Sequence, residues 1–262
     1  MSSAAVIEKP QVDLDDAVYS YIVYLHKVTV VFDGFKALDI QSFGVYHNDL
    51  RVVIGPNGAG KTTLCDVISG KTRVTTGRVF VKREEVTHMP DVDIAALGVG
   101  RKFQTPTVFD SLTVYENMQL AQPGHRGVFA NLFDRQTPAE RDEIFSILKR
   151  VRLEGVRDTP ARFLSHGQRQ WLEISMLILQ KPKLLLVDEP AAGLTDSETE
   201  LTANLLLELK GQHTIICIEH DMDFVRKLNS KITVLNEGKI LAEGTMDQVQ
   251  ANPEVIDAYL GR

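Results

Sequence analysis

A glycine-rich run ends in a lysine and a threonine at Gly55-Pro56-Asn57-Gly58-Ala59-Gly60-Lys61-Thr62. It fits G-x-x-x-x-G-K-[ST] in full, a spacing suited to phosphate. The glycines let successive backbone N–H groups turn toward phosphate oxygens, and a helix opening at the lysine adds free donors and the positive end of its dipole. In that setting Lys61 reaches the β- and γ-phosphates of a nucleoside triphosphate, and Thr62 is a ligand for Mg²⁺. Residues Gly55, Pro56, Asn57, Gly58, Ala59, Gly60, Lys61, Thr62 and Thr63 are the first candidate nucleotide-binding set. The bland alternative is a glycine-rich turn with a surface lysine. Against it stand the apolar Val52-Val53-Ile54 before the run and the helical pattern Thr63–Ser69 after it.

A second element is Leu184-Leu185-Leu186-Val187-Asp188-Glu189, four apolar residues ending in two acids. Side chains alternate along a strand, so adjacent acids at its end can take different tasks. Asp188 is the candidate for holding the Mg²⁺ hydration shell and Glu189 for polarising an attacking water. The Asp-x-x-Gly and Asn-Lys-x-Asp motifs of GTPases are absent from the sequence. These two elements alone leave a small-molecule P-loop kinase open. A third element, Leu164-Ser165-His166-Gly167-Gln168, begins its serine 23 positions before Asp188. Ser165-x-x-Gln168 has the form of a capping box for the apolar run Trp171–Leu179. A helix N-terminus behind a small, flexible loop is also an anion site.

The elements that must carry these groups follow from patterning. Apolar, β-branched runs recur at Tyr21–Val31, Leu50–Ile54, Val79–Val81, Leu184–Val187, Thr214–Ile218 and Ile232–Leu235. Helical patterns lie between several of them, which predicts an α/β fold with a largely parallel sheet. Asp33-Gly34 between early strands, with a further run near Ala37–Tyr46, predicts an antiparallel hairpin addition. From Thr107 to Phe163 the pattern turns helical. Ile144, Ile147, Leu148 and Val151 share a face within Ala139–Val151, with Thr137 as N-cap and Pro138 at the first helical position. Asn236-Glu237-Gly238 separates two short strands, and Asn252-Pro253 breaks the last helical stretch.

Composition bounds the reading. Apolar residues at 44% and charged residues at 24% are ordinary for a globular chain. A net charge of -6 offers no basic footprint for nucleic acid. No apolar run reaches the roughly 18–20 residues that span a bilayer, and Met1 to Asp16 does not read as a signal peptide. Cys65 and Cys217 lie among apolar neighbours and are expected to be buried free thiols in a cytoplasmic protein.

With these three elements in this order, the chain resembles the ABC ATPase family, whose signature Leu-Ser-Gly-Gly-Gln precedes the acidic strand. The resemblance covers roughly Tyr21 to Arg262. It implies a P-loop, RecA-like core with a mostly parallel sheet, an antiparallel β subdomain and an inserted α-helical subdomain. The expected organisation is an extension at 1–20, then one domain at 21–262. That domain divides into a core (21–103 and 166–242), a helical subdomain (104–165) and C-terminal helices (243–262). The resemblance also implies Phe32 as the aromatic that stacks on adenine, with Phe35 and Tyr24 as competitors. Gln104, after Gly100-Arg101-Lys102-Phe103, matches the glutamine that senses Mg²⁺ and the permease. His220, in Ile218-Glu219-His220-Asp221, matches the histidine that bonds the γ-phosphate. Lys61, Glu189 and His220 are then the catalytic set. Thr62, Gln104 and Asp188 are the Mg²⁺ set, and Ser165, Gly167 and Gln168 contact ATP held by another subunit. Two positions depart from the family: His166 replaces the first signature glycine, and Thr195 stands where an aspartate is usual, with Asp196 displaced by one.

Within the family the likeness is strongest to ATP-binding subunits of branched-chain amino acid and urea importers. The stretches Phe32–Leu38, Gly100–Gln104, Leu164–Gln168 and Glu219–Met222 look most like the urea-type branch. The implied function is ATP hydrolysis that powers uptake of a small solute. Urea is the expected solute, branched-chain amino acids the alternative, and a non-transport ABC ATPase acting on nucleic acid or ribosomes a more distant one. The implied partners are a second ABC ATPase subunit, transmembrane permease subunits and an extracytoplasmic solute-binding protein, with no nucleic acid. The permease would hold the chain peripherally on the inner face of the plasma membrane. Its groove is expected along Gln104–Phe109 and Thr107–Phe163, with Val108 and Phe109 facing it.

Overall fold

The computed structural model describes residues 14–102, 108–123 and 136–260 of the chain. Its N-terminal part is a helix α1 (Leu14–Ser20) followed by long strands β1 (Tyr21–Phe32) and β2 (Phe35–Tyr46), joined by the Asp33-Gly34 turn. Both turn residues have positive φ, 47° and 86°, as a tight two-residue hairpin requires. With β4 (Thr76–Val81) and β5 (Glu84–Glu85) these strands make a four-stranded antiparallel sheet in the order β2-β1-β4-β5. The last part of the expected extension at 1–20 is helical. Leu14–Ser20 is helical because Ala17 is fully buried against Tyr24 and Phe80.

A second sheet of six strands carries the site. In chain order its strands are β3 (Leu50–Ile54), β6 (Val99–Lys102), β7 (Leu184–Asp188), β8 (Thr214–Ile218), β9 (Lys231–Asn236) and β10 (Lys239–Gly244). Their spatial order is β10-β9-β3-β8-β7-β6. All neighbours are parallel except the β9–β10 hairpin. Every residue of β3, β7 and β8 is buried, which is why these strands read as unbroken apolar runs. Alternation sends their side chains into two separate cores. Leu184, Leu186, Ile216 and Ile218 join Leu64 and Ile68 of helix α2 (Lys61–Ile68). Leu185, Val187, Ile215 and Cys217 join α4 (Val114–Ala121), α5 (Pro138–Arg150) and α6 (His166–Leu179). Both cysteines are buried and free.

The helical part behaves as its sequence predicts at the ends. Thr137 caps α5 in a full capping box with Glu140, with Pro138 in the first turn, and Ile144, Ile147 and Leu148 are buried. Thr113 and Glu116 form the same box on α4. A boundary at 165/166 is not a break in packing, since α6 contacts α4 and α5 on one side and β6 on the other. Helix α3 (Asp91–Ala96) and strand β6 were not among the predicted elements. Beyond β7 lie α7 (Asp196–Leu209), α8 (Met222–Leu228), α9 (Met246–Gln250) and α10 (Pro253–Leu260). Among the described residues no helix is long and apolar enough to cross a membrane.

Candidate functional site

The carboxyl ends of β3, β8 and β7 lie side by side because those strands are parallel neighbours. In open α/β sheets that edge is where ligands bind. The glycine-rich loop leaves β3 at Ile54, Asp188 ends β7, and Glu219 and His220 follow β8. Four candidates separated by up to 159 positions, Lys61, Asp188, Glu189 and His220, thus share one rim.

The loop's shape depends on its glycines. Gly55, Gly58 and Gly60 all have positive φ. A Cβ on Gly55 would lie 2.2 Å from the Leu235 carbonyl oxygen, and one on Gly60 would lie 2.6 Å from that of Ala37. The loop is also braced from outside, where Gly238 N–H donates to the Ala59 carbonyl at 3.0 Å. Helix α2 begins at Lys61, with Gly60 as its left-handed N-cap and no side chain capping it. Its first N–H groups therefore face the loop and favour an anion. The Lys61 ammonium, 8% exposed, donates to the carbonyls of Gly55 at 2.7 Å and Pro56 at 3.1 Å. Burial holds its pKa below the ordinary lysine value, opposed by the charges of Glu189 and Asp188. Asn57, Gly58 and Thr62 are exposed, and Thr63 is half-buried.

Asp188 is 2% exposed, and its Oδ1 has no hydrogen-bond partner. Burial raises its pKa, the neighbouring Arg101 lowers it, and Glu189 raises it again. A buried carboxylate oxygen without a partner is a place for a cation's bound water. Among the described residues no cluster of three His, Cys, Asp or Glu side chains could hold a metal by itself. A nucleotide-borne Mg²⁺ needs none, since one carboxylate and phosphate oxygens serve it. The residues present therefore fit this ion.

Glu189 sits at φ 47°, a left-handed backbone, and its N–H donates to the Ile218 carbonyl at 3.0 Å. Its Oε1 lies 3.4 Å from His220 Nδ1, and the His220 side chain is 59% exposed. A carboxylate and an imidazole at this separation can share a water or a phosphate oxygen. Phe32 and Phe35 are exposed and face each other across the hairpin, whereas Tyr24 is buried in the small aromatic core. Gln104 lies outside the described residues.

Ser165 caps α6 as predicted, accepting from Gln168 N–H at 3.2 Å while Gln168 Oε1 accepts from Ser165 N–H at 3.0 Å. Gly167 packs against the Glu198 carboxylate, and a Cβ there would lie 2.5 Å from Glu198 Oε1, so that side chain would have to move. Glu198 in turn completes a capping box with Thr195 at the start of α7. Thr195 thus occupies the aspartate position of the family as a helix cap, a task either residue performs.

Sequence reasoning passed over three residues at this rim. Glu219 is fully buried and accepts from the N–H groups of Ala191 at 2.9 Å, His220 at 3.0 Å and Asp221 at 3.3 Å. It bridges the loop after β7 to the end of β8. Burial raises its pKa, outweighing the three N–H groups that lower it. The other two are Arg101 and Lys102, on opposite faces of β6. Arg101 pairs with Asp66 of α2 at 2.6 Å and Lys102 with Glu173 of α6 at 3.8 Å. One short strand therefore holds the phosphate-loop helix and the signature helix at once. An acid directly after an all-apolar strand, and two bases inside one, were the available signals.

Glu219→Gln keeps the side chain's size but presents an amide NH₂ to backbone donors. The variant is expected to lose about 1–3 kcal/mol of stability, the cost of an unsatisfied buried group. Urea denaturation measures this, and an unchanged midpoint with an unchanged slope would remove Glu219 as the bridge.

Comparison with known proteins agrees with this architecture. The ABC transporter family model matches residues 38–192, and the model described as "Branched-chain amino acid ATP-binding cassette transporter" matches residues 239–262. The high-affinity branched-chain amino acid transport ATP-binding protein LivG of Escherichia coli is 36% identical over 88% of this chain and 94% of its own length. BraF of Pseudomonas aeruginosa, described in the same words, is 36% identical over 92% and 98%. The crystal structure of a nucleotide-free ATP-binding cassette from an ABC transporter superposes with a TM-score of 0.80 at 31% identity, over 92% of this chain and 99% of that one. A phosphate loop, an acidic strand end and a capped signature helix on one rim, in a chain matched along nearly its whole length, place this protein in the ABC transporter family, as an ATP-binding cassette and hence an ATPase.

Proposed function

We propose that this chain is the motor subunit of an importer, hydrolysing MgATP between two cassettes beneath a permease. The convergence of Lys61, Asp188, Glu189 and His220 on the edge formed by β3, β7 and β8 carries the reading. In it, Lys61 and the N–H groups of Gly58, Gly60, Thr62 and Thr63 hold the phosphates, and Phe32 lies against the adenine. Thr62, Asp188 and Gln104 hold Mg²⁺, which when bound draws charge from the phosphate oxygens. Glu189 takes the proton from the attacking water, and His220 donates to the γ-phosphate. Ser165, Gly167 and Gln168 meet the nucleotide of a second subunit. The protein would sit at the cytoplasmic membrane surface through its permease, served from outside by a solute-binding protein.

For the solute, the amino acid reading has the better support, since the relatives at 34–36% identity are branched-chain amino acid transport proteins. The urea reading rests on the stretches around Phe32, Gln104, His166 and His220, none of which would touch the solute. Uptake of labelled urea and labelled leucine by cells lacking this subunit separates them. Loss of leucine uptake with urea uptake intact establishes the amino acid reading; the reverse establishes urea.

The permease groove falls on the helical part. Phe109 is 54% exposed, and its backbone is fixed at both N–H and carbonyl by the fully buried Asn117. Val108 beside it is half-buried and packs in part against the helical core. Phe109→Asp is therefore expected to abolish transport while basal ATPase stays within about twofold, because exposed substitutions scarcely alter stability. Transport in reconstituted vesicles beside phosphate release tests it. Loss of both activities would assign Phe109 to the core.

A further inference from the structure

His166 makes contacts that a glycine at its position could not. It is exposed in the first turn of α6, and its ring turns toward the loop that follows β7. Its Nε2 lies 2.8 Å from Gln170 Nε2 and 3.2 Å from the Ala192 carbonyl oxygen. Gln170 Nε2 is itself 3.1 Å from that same oxygen, and Gln170 is 1% exposed. The amide group has two hydrogens for these two acceptors. It donates one to Ala192 and one to His166 Nε2, which accepts as neutral imidazole with its proton on Nδ1. This leaves Gln170 Oε1 buried without a partner. The reversed amide would leave two N–H groups in that same position, a larger cost.

The loop so held is short and already fastened elsewhere. Glu189 N–H donates to Ile218, and Ala191 N–H to the Glu219 carboxylate. Ala192 N–H closes a turn back onto the Glu189 carbonyl at 3.2 Å. The Gln170 contact restrains the side of this turn that faces α6.

We propose that His166 and Gln170 are a positioning pair for the loop Glu189–Thr195. Gln170 holds the Ala192 carbonyl, His166 orients Gln170, and together they fix the direction in which Glu189 meets water. The pair ties the start of the signature helix to the catalytic strand end within one subunit. It rests on the assignment of Glu189 as the base.

The test is steady-state phosphate release and fluorescent-ATP binding with the full chain carrying His166→Leu, Gln170→Leu, both together, or His166→Gln. Each leucine variant is expected to lower kcat about 3- to 10-fold, as loss of one hydrogen bond would, with KM for ATP within about twofold. The double variant should be no slower than Gln170→Leu, since the two act as a unit. His166→Gln sets an amide oxygen where Nε2 accepts and should recover kcat to within about twofold of the parent. Wild-type kcat in His166→Leu, an exposed position that leaves folding intact, would overturn the proposal. So would a raised KM at unchanged kcat, or a His166→Gln variant as slow as His166→Leu. Glu189→Gln run alongside keeps the two readings apart. If it turns over normally, the base assignment fails; if it is slow while the leucine variants are normal, the pair alone fails.

Discussion

Lys61→Ala is expected to abolish ATP hydrolysis and to weaken nucleotide binding at the same time. The ammonium is the buried cation of the phosphate loop, its pKa lowered by burial and raised in part by the charges of Glu189 and Asp188. It donates to the Gly55 and Pro56 carbonyls. With phosphate present, the same donors are positioned to turn onto the β- and γ-oxygens. Alanine removes the charge that offsets the phosphates and leaves two loop carbonyls without their donor. Loss of one such electrostatic contact to a developing charge costs about 10²–10³-fold in turnover. Affinity falls as well, because the interaction is made in the ground state too. Phosphate release and ATP binding measured on the same preparation check both effects. Hydrolysis at the parent rate would displace the nucleotide from this loop.

Glu189→Gln is expected to separate binding from chemistry. The carboxylate is half-buried, stands beyond the buried Asp188 and lies within 3.4 Å of His220. Glutamine keeps the shape and one acceptor oxygen but cannot take a proton. Turnover should fall about 10²–10⁴-fold, the usual contribution of a positioned general base. ATP affinity should hold, since Lys61, Thr62 and the loop N–H groups are untouched. A stalled MgATP complex should accumulate as a dimer, visible as a doubling of mass by light scattering with nucleotide and not without it. A fast Glu189→Gln enzyme would take Glu189 out of the mechanism.

Much of this site was legible because its parts announce themselves locally. The phosphate loop needs glycine at positive φ and a helix opening at Lys61; both constraints are written in consecutive residues. The acidic strand end reads directly because Leu184–Val187, buried on both faces, must be apolar throughout. Helix α5 could be placed to within a residue from Thr137, Pro138 and the apolar face of Ile144, Ile147 and Leu148. What was missed has its cause far away in the chain. Strand β6 is four residues long, two of them basic, a pattern that argues against a buried strand until Asp66 and Glu173 arrive from other helices. Glu219 reads as a flank of His220; its worth comes from Ala191, 28 positions earlier. Gln170 is one polar residue in an amphipathic helix, and nothing local says it meets Ala192. Helix α1 is anchored by one alanine against Tyr24 and Phe80, a contact no short window displays. Solute identity leaves no such mark, since no group at this rim is placed to meet it.

The left-handed backbone at Glu189 bears on how this protein can evolve and be engineered. An acid held at φ 47° sits about 1–2 kcal/mol above a glycine in the same conformation. The extra chain entropy of glycine, about 0.4–1 kcal/mol, offsets only part of that. Selection for thermal endurance alone would therefore favour glycine at this position, while selection for turnover keeps the acid. Attempts to harden the cassette by relaxing its backbone should spare this residue, because here the easier fold and the working motor are different proteins.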